Sequence, residues 1–130
     1  MRSANIASVL LVDDDANIRF VAQMSLEGLT KWHIMLAESG EEALAKAKSD
    51  VPDLILLDMM MPGMDGPTTF VKLKEETACA QIPVIFMTAK VQTHEVESYL
   101  ELGAAGVIAK PFDPMKLADE ICRILDSQSS

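Results

Sequence analysis

The chain has 130 residues, 49% of them hydrophobic, which is enough to bury the core of one domain and excludes a disordered chain. Its formal net charge of −9 disfavours direct binding to nucleic-acid phosphates or to an anionic membrane surface. No apolar run is long enough to span a bilayer and the N-terminus lacks the pattern of a signal peptide, so we expect a cytoplasmic protein that binds neither nucleic acid nor membrane.

Apolar strand-like runs alternate with amphipathic segments five times along the chain. The predicted strands cover residues 8–12, 33–37, 54–57, 84–87 and about 105–109. The predicted helices follow them at about 17–29, around 43–47, at 67–75, at about 91–102 and from 113 onward. Strict alternation of strand and helix predicts parallel strands joined by right-handed crossovers, with helices on both faces of the sheet.

Residues with known positional preferences mark the ends of the predicted helices. Ser39 followed by Glu42 has the spacing of a capping box, and Pro67 fits the first turn of the third helix. Gly103 is typical of a helix C-terminus, and Asp113 is placed to cap the last helix. These signals support the helix bounds that hydrophobic periodicity indicates.

Two of the helices have a face that repeats at helical spacing and is predicted to pack on the sheet. In the first helix this face consists of Ile18, Ala22, Ser25 and Leu29. In the last helix it consists of Leu117, Ile121, Ile124 and Leu125. The five strand–helix units use nearly the whole chain, so we expect a single domain over 1–130, with a core at about 8–126 and a short polar tail at 127–130.

Polar residues stand where four of the predicted strands end. Asp13 and Asp14 follow the first strand, and the third, fourth and fifth are followed by Asp58, Thr88 and Lys110. Because the carboxyl ends of parallel strands share one edge of the sheet, we expect these side chains to converge. A single aspartate here is more simply a turn or cap residue, but three together repel one another unless a cation offsets them. A partly open, all-oxygen site suits Mg²⁺ and phosphoryl chemistry.

Four motifs in this order resemble the receiver domain of two-component response regulators. They are Leu11-Val12-Asp13-Asp14-Asp15, Asp58-Met59-Met60-Met61-Pro62-Gly63-Met64-Asp65-Gly66, Met87-Thr88-Ala89 and Lys110-Pro111-Phe112. The resemblance covers roughly residues 9–125 and implies a (βα)₅ flavodoxin-like, three-layer sandwich with a parallel sheet in strand order 2-1-3-4-5. It leaves open whether the chain is a stand-alone, chemotaxis-regulator-like protein or a receiver domain from a larger one.

The resemblance also implies which residues accept the phosphoryl group and hold the metal. Asp58 is the expected phosphoacceptor, since a carboxylate that attacks phosphorus forms an acyl phosphate. Asp14 and Asp58 are the expected Mg²⁺ ligands, together with the backbone carbonyl of Met60. Asp13 is expected to act mostly through a bound water.

The remaining motif residues are expected to surround the phosphoryl group. The Thr88 hydroxyl is expected to contact its oxygens, and Lys110 to pair with Asp58 before transfer and with the phosphoryl group afterwards. Ala89 is small and leaves space for the incoming group. The bond between Lys110 and Pro111 is expected to be a cis peptide. Catalysis then consists mostly of positioning and charge neutralisation.

Three positions bear on switching and phosphoryl lifetime. Val107 stands three residues before Lys110, where the family usually carries Tyr or Phe, so we expect a weaker or differently built output switch. Lys90 and Met60 occupy positions that flank the phosphoryl group in relatives, and neither suits a general base. Lys90 is either an added ion-pair partner of the phosphate or a solvated surface lysine, and the phosphoryl lifetime is not expected to be unusually short.

The function expected from the resemblance is a phosphorylation-dependent switch, not an enzyme with turnover. A sensor histidine kinase or phosphotransfer protein donates the phosphoryl group, an unknown protein target responds, and the domain dimerises on activation in some relatives. One alternative is a degenerate receiver that acts only as an interaction module, although such domains typically lose an acidic or lysine position. The other is a Mg²⁺-dependent aspartyl-phosphate phosphatase, which usually carries a second aspartate where this chain has Met60.

Overall fold

The computed structural model describes residues 3–127, which form a five-stranded parallel sheet flanked by helices. The strands are β1 (Ser8–Val12), β2 (His33–Ala37), β3 (Leu54–Asp58), β4 (Val84–Thr88) and β5 (Gly106–Ala109). Their order across the sheet is β2-β1-β3-β4-β5. The fold class and the strand order expected from the sequence are therefore confirmed.

The helices lie on both faces of this sheet. They are α1 (Ala16–Leu29), α2 (Gly40–Ser49), α3 (Gly66–Glu75), α4 (Thr93–Leu102) and α5 (Leu117–Ser127), preceded by a short 3₁₀ turn at Ser3–Asn5. One core cluster joins the sheet to α1 and α5, and the other joins it to α2 and α3, with part of α4 packed against it. Across residues 3–127, no helix combines the length and apolar character needed to cross a membrane.

The middle of the sheet is buried on both faces. All residues of β3 and β4 are buried, and Val9 to Val12 of β1 are completely shielded from solvent. Continuous apolar strands of this kind are typical of parallel sheets that helices cover on both sides. The side chains at the ends of these strands are therefore held on a rigid support.

The structure corrects the predicted inward face of α1. Ala22 and Leu26 are its fully buried residues, whereas Leu29 is 48% exposed. The hydroxyl of Ser25 is directed to the carbonyl of Pro114, in the loop before α5. The buried side of α1 is therefore centred on residues 22 and 26, which lie four positions apart and pack in one cluster with α5 and the sheet.

The end of the chain also differs from the prediction. Asp113 caps a separate turn, where its carboxylate accepts from the Met115 amide at 2.9 Å, and α5 begins only at Leu117. An aspartate stabilises a turn and a helix start by the same hydrogen bond, so the sequence does not distinguish them. Ser127 belongs to α5 and not to the predicted tail, and residues 128–130 lie outside the described range.

The predicted capping box of α2 forms only in part. The Ser39 hydroxyl accepts from the Glu42 amide at 3.1 Å, as a helix cap should. The Glu42 carboxylate, however, accepts from the amide of Glu38 at 2.8 Å and not from that of Ser39. The carboxylate therefore lies beside the end of β2 instead of closing the box.

Candidate functional site

The predicted site residues lie together at the carboxyl edge of the sheet. Asp13 follows β1, Asp58 and Thr88 are the last residues of β3 and β4, and Lys110 follows β5. Oxygen atoms of Asp13, Asp14 and Asp58 lie within 4.8 Å of one another. The site is therefore assembled by the order of the strands, in which β1, β3, β4 and β5 are consecutive neighbours.

A lysine bridges the two buried carboxylates. The Lys110 ammonium donates to Asp58 Oδ1 at 2.9 Å and to Asp13 Oδ2 at 2.6 Å. Asp13 is fully shielded from solvent, and Asp58 is 4% exposed. A buried carboxylate is costly unless a counter-charge or hydrogen bonds compensate it, and here one cation serves both.

The electrostatic environment shifts the acidity of Asp58. Burial raises the pKa of its carboxyl from 3.8 to about 6, although the hydrogen bond from Lys110 opposes this, and the nearby charge of Asp13 adds to the rise. A carboxylate with a raised pKa gains from any further cation that approaches it. In the absence of such a cation the Asp58 carboxyl therefore ionises less readily than an ordinary aspartate.

The pKa of Lys110 is raised as well, but by its hydrogen bonds and not by burial. Burial of its ammonium acts to lower the pKa, but the hydrogen bonds to Asp13 and Asp58 outweigh burial and raise the pKa above its usual value. Lys110 therefore stays charged at neutral pH. Its peptide bond to Pro111 is cis, as the sequence resemblance implies.

The donor set fits a hard divalent cation. Asp14 is exposed, while Asp13 and Asp58 are buried, so the three carboxylates form a cluster that opens to solvent on one side. Carboxylate oxygens together with water are the ligands that Mg²⁺ prefers, and Mg²⁺ keeps several waters when it binds. Lys110 offsets only part of the negative charge of the three carboxylates, so the charge that remains also favours binding of a cation.

The end of β4 forms the other wall of the site. The Thr88 side chain is 3% exposed, and its hydroxyl accepts from the Lys90 amide at 3.0 Å. The Thr88 carbonyl accepts from the Lys110 amide at 2.9 Å, which ties the ends of β4 and β5 together. Ala89 and Lys90 are both exposed and line an open pocket with the start of α4.

The loop after β3 passes close to Asp58. The Met60 amide donates to Asp58 Oδ1 at 3.3 Å, while its side chain is 66% exposed. At Gly66 a Cβ atom would lie 2.5 Å from the Asp58 carbonyl oxygen, so only glycine fits there. Asp65 caps α3 by accepting from the Thr68 amide at 2.9 Å. The turn-rich motif therefore holds the loop against the end of β3.

Sequence reasoning missed a further residue that supports the acidic loop. The Arg19 guanidinium donates to the backbone carbonyl of Asp13 at 2.7 Å and reaches the Glu38 carboxylate at 3.5 Å. Asp15 caps α1 and receives no contact from the Lys110 ammonium. The only available signal was one arginine at the first turn of a helix that directly follows the acidic run.

Comparison with known proteins identifies the class. Residues 9–122 match the family model described as the response regulator receiver domain. This chain therefore belongs to the response regulator receiver domain family.

Particular relatives support the same assignment. The chain is 42% identical over 113 residues to response regulator PleD of Caulobacter vibrioides, which covers 85% of this chain and 24% of the relative. It is 36% identical over 117 residues to the alkaline phosphatase synthesis transcriptional regulatory protein PhoP of Bacillus subtilis, covering 90% of this chain and 48% of the relative. The chain thus spans between about a quarter and a half of these relatives.

A solved structure of similar size has the same fold. The chemotaxis response regulator CheY4 of Vibrio cholerae superposes with a TM-score of 0.85 at 30% identity, over 93% of this chain and 100% of that one. Receiver domains of this kind thus include a chain that is no longer than the present one.

Proposed function

We propose that this receiver domain accepts a phosphoryl group on Asp58 in a Mg²⁺-dependent reaction and that the product binds a protein partner differently. The observation that carries the proposal is the buried Asp58 carboxylate held between the Lys110 ammonium at 2.9 Å and a cluster of two further carboxylates. An Asp side chain is an established covalent nucleophile toward phosphorus. The raised pKa of this carboxyl makes its ionised form responsive to a bound cation.

The acidic cluster and one backbone group are the proposed metal ligands. Asp14 and Asp58 would bind the ion directly, the Met60 carbonyl would be a third protein ligand, and Asp13 would act mostly through a water. When bound, Mg²⁺ supplies positive charge beside the phosphoryl oxygens and orients the donor. Asp13 also holds Lys110 through their 2.6 Å contact, which keeps the ammonium at the edge of the site.

The residues of β4 and β5 are proposed to receive the transferred group. The Lys110 ammonium pairs with the Asp58 carboxylate before transfer and with the phosphoryl oxygens afterwards. The Thr88 hydroxyl, which accepts from the Lys90 amide, still has its own hydrogen to donate to a phosphoryl oxygen. Ala89 lacks the bulk to obstruct the approach of a donor, and the cis bond before Pro111 belongs to the loop that presents Lys110.

The reaction is a transfer to the protein itself and not a catalytic cycle on a free substrate. Met60 stands two residues after Asp58 and carries no acid or base that could activate water. Hydrolysis of the acyl phosphate is therefore slow, and the modified domain persists long enough to bind a target. This property favours a switch over a phosphatase.

The proposed donors are a sensor histidine kinase or a phosphotransfer protein, and the receiver of the signal is another protein. The whole chain, 1–130, is proposed to act as one receiver domain in the cytoplasm. Its acidic surface does not suit nucleic acid or membrane lipid as the direct partner. A dimer that forms on activation is one form this output can take.

Incubation with acetyl phosphate and Mg²⁺ tests the proposal. The wild-type chain is expected to gain the mass of one phosphoryl group, whereas Asp58→Asn gains none. Asp50→Asn, an equal substitution at the exposed end of α2, is the matched control and should be modified normally. A modified Asp58→Asn variant would contradict the proposal, absence of any adduct would indicate an interaction module, and rapid release of phosphate would indicate a phosphatase.

The contribution of Lys90 to the lifetime of the adduct can be measured in the same assay. Lys90 is exposed, and exposed ion pairs contribute about 0–1 kcal/mol. Lys90→Ala should therefore change the dephosphorylation rate by no more than about fivefold, since 1 kcal/mol corresponds to roughly that factor. An unchanged rate would remove Lys90 from the phosphoryl site, and a larger change would show a closer contact.

A further inference from the structure

The free edge of β2 lies away from the phosphoryl site and carries a separate arrangement of charges. Among residues 3–127, β2 has a strand neighbour on one side only, which is β1. The Ala37 carbonyl accepts from the Asp13 amide at 3.1 Å, so Ala37 faces inward. Backbone groups alternate in direction along a strand, so those of Leu36 face outward. The amide of Glu38, the residue after β2, points opposite to the Ala37 carbonyl in the same peptide and also faces outward.

Two side chains of α2 cover these outward groups. The Glu42 carboxylate accepts from the Glu38 amide at 2.8 Å, and the Lys46 ammonium donates to the Leu36 carbonyl. The two side chains are 3.9 Å apart and one helical turn from each other. We call this pair, Glu42 and Lys46, the edge clasp.

The clasp matches the chemistry of the strand edge. Its cation lies on the carbonyl of Leu36 in β2, and its anion lies on the amide of Glu38, two residues later and just after the end of β2. In a parallel pairing, one residue of the added strand would bind both the Leu36 carbonyl and the Glu38 amide. In an antiparallel pairing, the added strand would also need the Leu36 carbonyl. While the clasp is in place, neither kind of strand can complete its ladder.

The position of Glu42 shows that helix capping does not explain the clasp. A carboxylate at the third position of a helix with a serine cap ordinarily returns to the amide of the cap residue. Here the Glu42 carboxylate reaches one residue further, to the amide of Glu38 between β2 and the cap, while Ser39 still caps the helix. The Ala37 carbonyl and the Glu38 amide belong to one planar trans peptide and point in opposite directions, so Glu42 binds on the outer side of the chain as it leaves β2.

The rest of the edge is open and apolar. An open groove of about 320 Å³ runs beside residues 33–36. Its other side is formed by Lys46 and Ser49 of α2 and by Asp50, the residue after the helix. Residues 34–37 carry no charge. Uncharged edge strands are templates for edge-to-edge pairing, and lysine on such an edge is a common way to prevent it.

A second copy of this chain is the occupant that fits this edge. Two identical strands can pair antiparallel about a twofold axis, because each then offers the other the same donors and acceptors. With the axis at Met35, the outward groups of Ile34 in one copy face those of Leu36 in the other. The pairing would join two five-stranded sheets into one continuous sheet.

We propose that the edge clasp, Glu42 and Lys46, occupies the free edge of β2 and keeps a second copy of this chain from adding its own β2 there. This role is independent of phosphorylation at Asp58.

The test replaces the clasp and measures the mass of the particle in solution. Lys46→Met keeps the length of the side chain but removes the cation, and Glu42→Met/Lys46→Met also removes the oxygen that accepts from the Glu38 amide. The unphosphorylated double variant should show a concentration-dependent rise toward twice the wild-type mass in light scattering coupled to size-exclusion chromatography. A double variant that keeps the wild-type mass at all concentrations would overturn the proposal.

The matched control carries the same substitutions at neighbouring positions of α2. Glu41→Met/Lys48→Met makes the same two changes, but Glu41 is exposed and Lys48 pairs with Glu76 at the end of α3 and not with β2. This control should keep the wild-type mass. Equal association of both double variants would show a general charge effect and would contradict a role for the clasp.

A cross-link locates the contact. In a Cys122→Ser background, Met35→Cys combined with the double variant should form a disulfide dimer on mild oxidation, because residue 35 would lie opposite its own copy. Met35→Cys with the clasp intact should cross-link much less. Association of the double variant without this cross-link would place the contact elsewhere and overturn the proposal. Circular dichroism and urea unfolding confirm that each variant is folded before it is scored.

Discussion

The middle of the sheet is more completely buried than the flank formed by β5 and α4. Every residue of β3 and β4 is buried, whereas α4 contributes no fully buried residue and β5 has only Gly106 and Ile108 buried. Tyr99 is the aromatic contact of α4 with the sheet, and its ring meets Phe86 edge-on at 5.8 Å. Regions with few buried contacts open at lower free energy than the core.

The proposed phosphoryl site lies where these two regions meet. Asp58 comes from the well-packed middle, and Lys110 comes from the end of the lightly packed β5. The proposed acceptor therefore stands in the more completely buried region, and its counter-ion follows the less buried one. This difference suits a domain whose modification must change a surface without unfolding the core.

Leucine truncation in the two regions tests the comparison most directly. Leu56→Ala removes a fully buried side chain from β3 and should lower the free energy of unfolding by about 3 kcal/mol. Leu100→Ala, the same change on α4 at a side chain that is 45% exposed, should lower it by less than about 1 kcal/mol. Urea unfolding measures both. Similar losses at the two positions would show that α4 is packed as firmly as the middle.

Removal of the shared counter-ion should have the next largest effect. Lys110→Met leaves Asp13 and Asp58 buried without their common cation, which costs about 2 kcal/mol of unfolding free energy after allowance for protonation of Asp58. Mg²⁺ should restore part of this loss, because it neutralises the same carboxylates. Urea unfolding with and without Mg²⁺ measures the effect.

Lys116→Met is the control for that substitution, since Lys116 is exposed in the following turn. It should change stability little and show no dependence on Mg²⁺. A stable Lys110→Met variant would mean that the carboxylates tolerate each other without a cation.

The raised pKa of Asp58 predicts a pH-dependent metal affinity. Protons compete with Mg²⁺ for a carboxyl that titrates at about 6, so the affinity should be full above that pH and weaken as pH falls through it. Between pH 7 and pH 5 the ionised fraction of such a group falls roughly tenfold, and the association constant should fall with it. Isothermal titration calorimetry measures this change. A flat profile in the wild type, or the same profile in Asp58→Asn, would assign the titration to another group.

The smallest expected effect is on the structural response of α4 to phosphorylation. Val107 has no ring that can reorient, so phosphorylation should shift the amide resonances of α4 less in the wild type than in Val107→Tyr. Comparison of NMR spectra of the two phosphorylated proteins checks this. Val107→Ile, which also lacks a ring, is the control and should behave as the wild type. Shifts at 91–100 in the wild type that match those of relatives with the aromatic would contradict the idea.

Tyr99 is a second aromatic position that connects α4 to the proposed site. Its hydroxyl donates to the Lys90 carbonyl at 3.4 Å, which connects α4 to the loop after Thr88. Neither periodicity nor motif spacing indicated this contact, because it depends on the side to which the helix turns. Only the tertiary arrangement shows that an aromatic ring other than the usual one lies beside this loop.

The sequence by itself determined the alternation of elements and the common edge at which the polar strand-end residues lie. The buried strands are continuous apolar runs, and each ends in a polar residue whose place on a common edge follows from parallel topology. Local signals identified Ser39 and Gly103 correctly, since a cap is formed by neighbouring residues along the chain.

Only the tertiary structure shows which hydrogen-bond or ion-pair partner each polar side chain has. The sequence did not determine that Lys110 bridges Asp13 and Asp58, that Arg19 supports the acidic loop, or that Glu42 leaves the helix cap for the edge of β2. It also misplaced the inward face of α1 and the start of α5. The reason is physical: covalent order and hydrophobic period fix local conformation, whereas a charged side chain selects among several hydrogen-bonding groups only after packing has brought distant segments together.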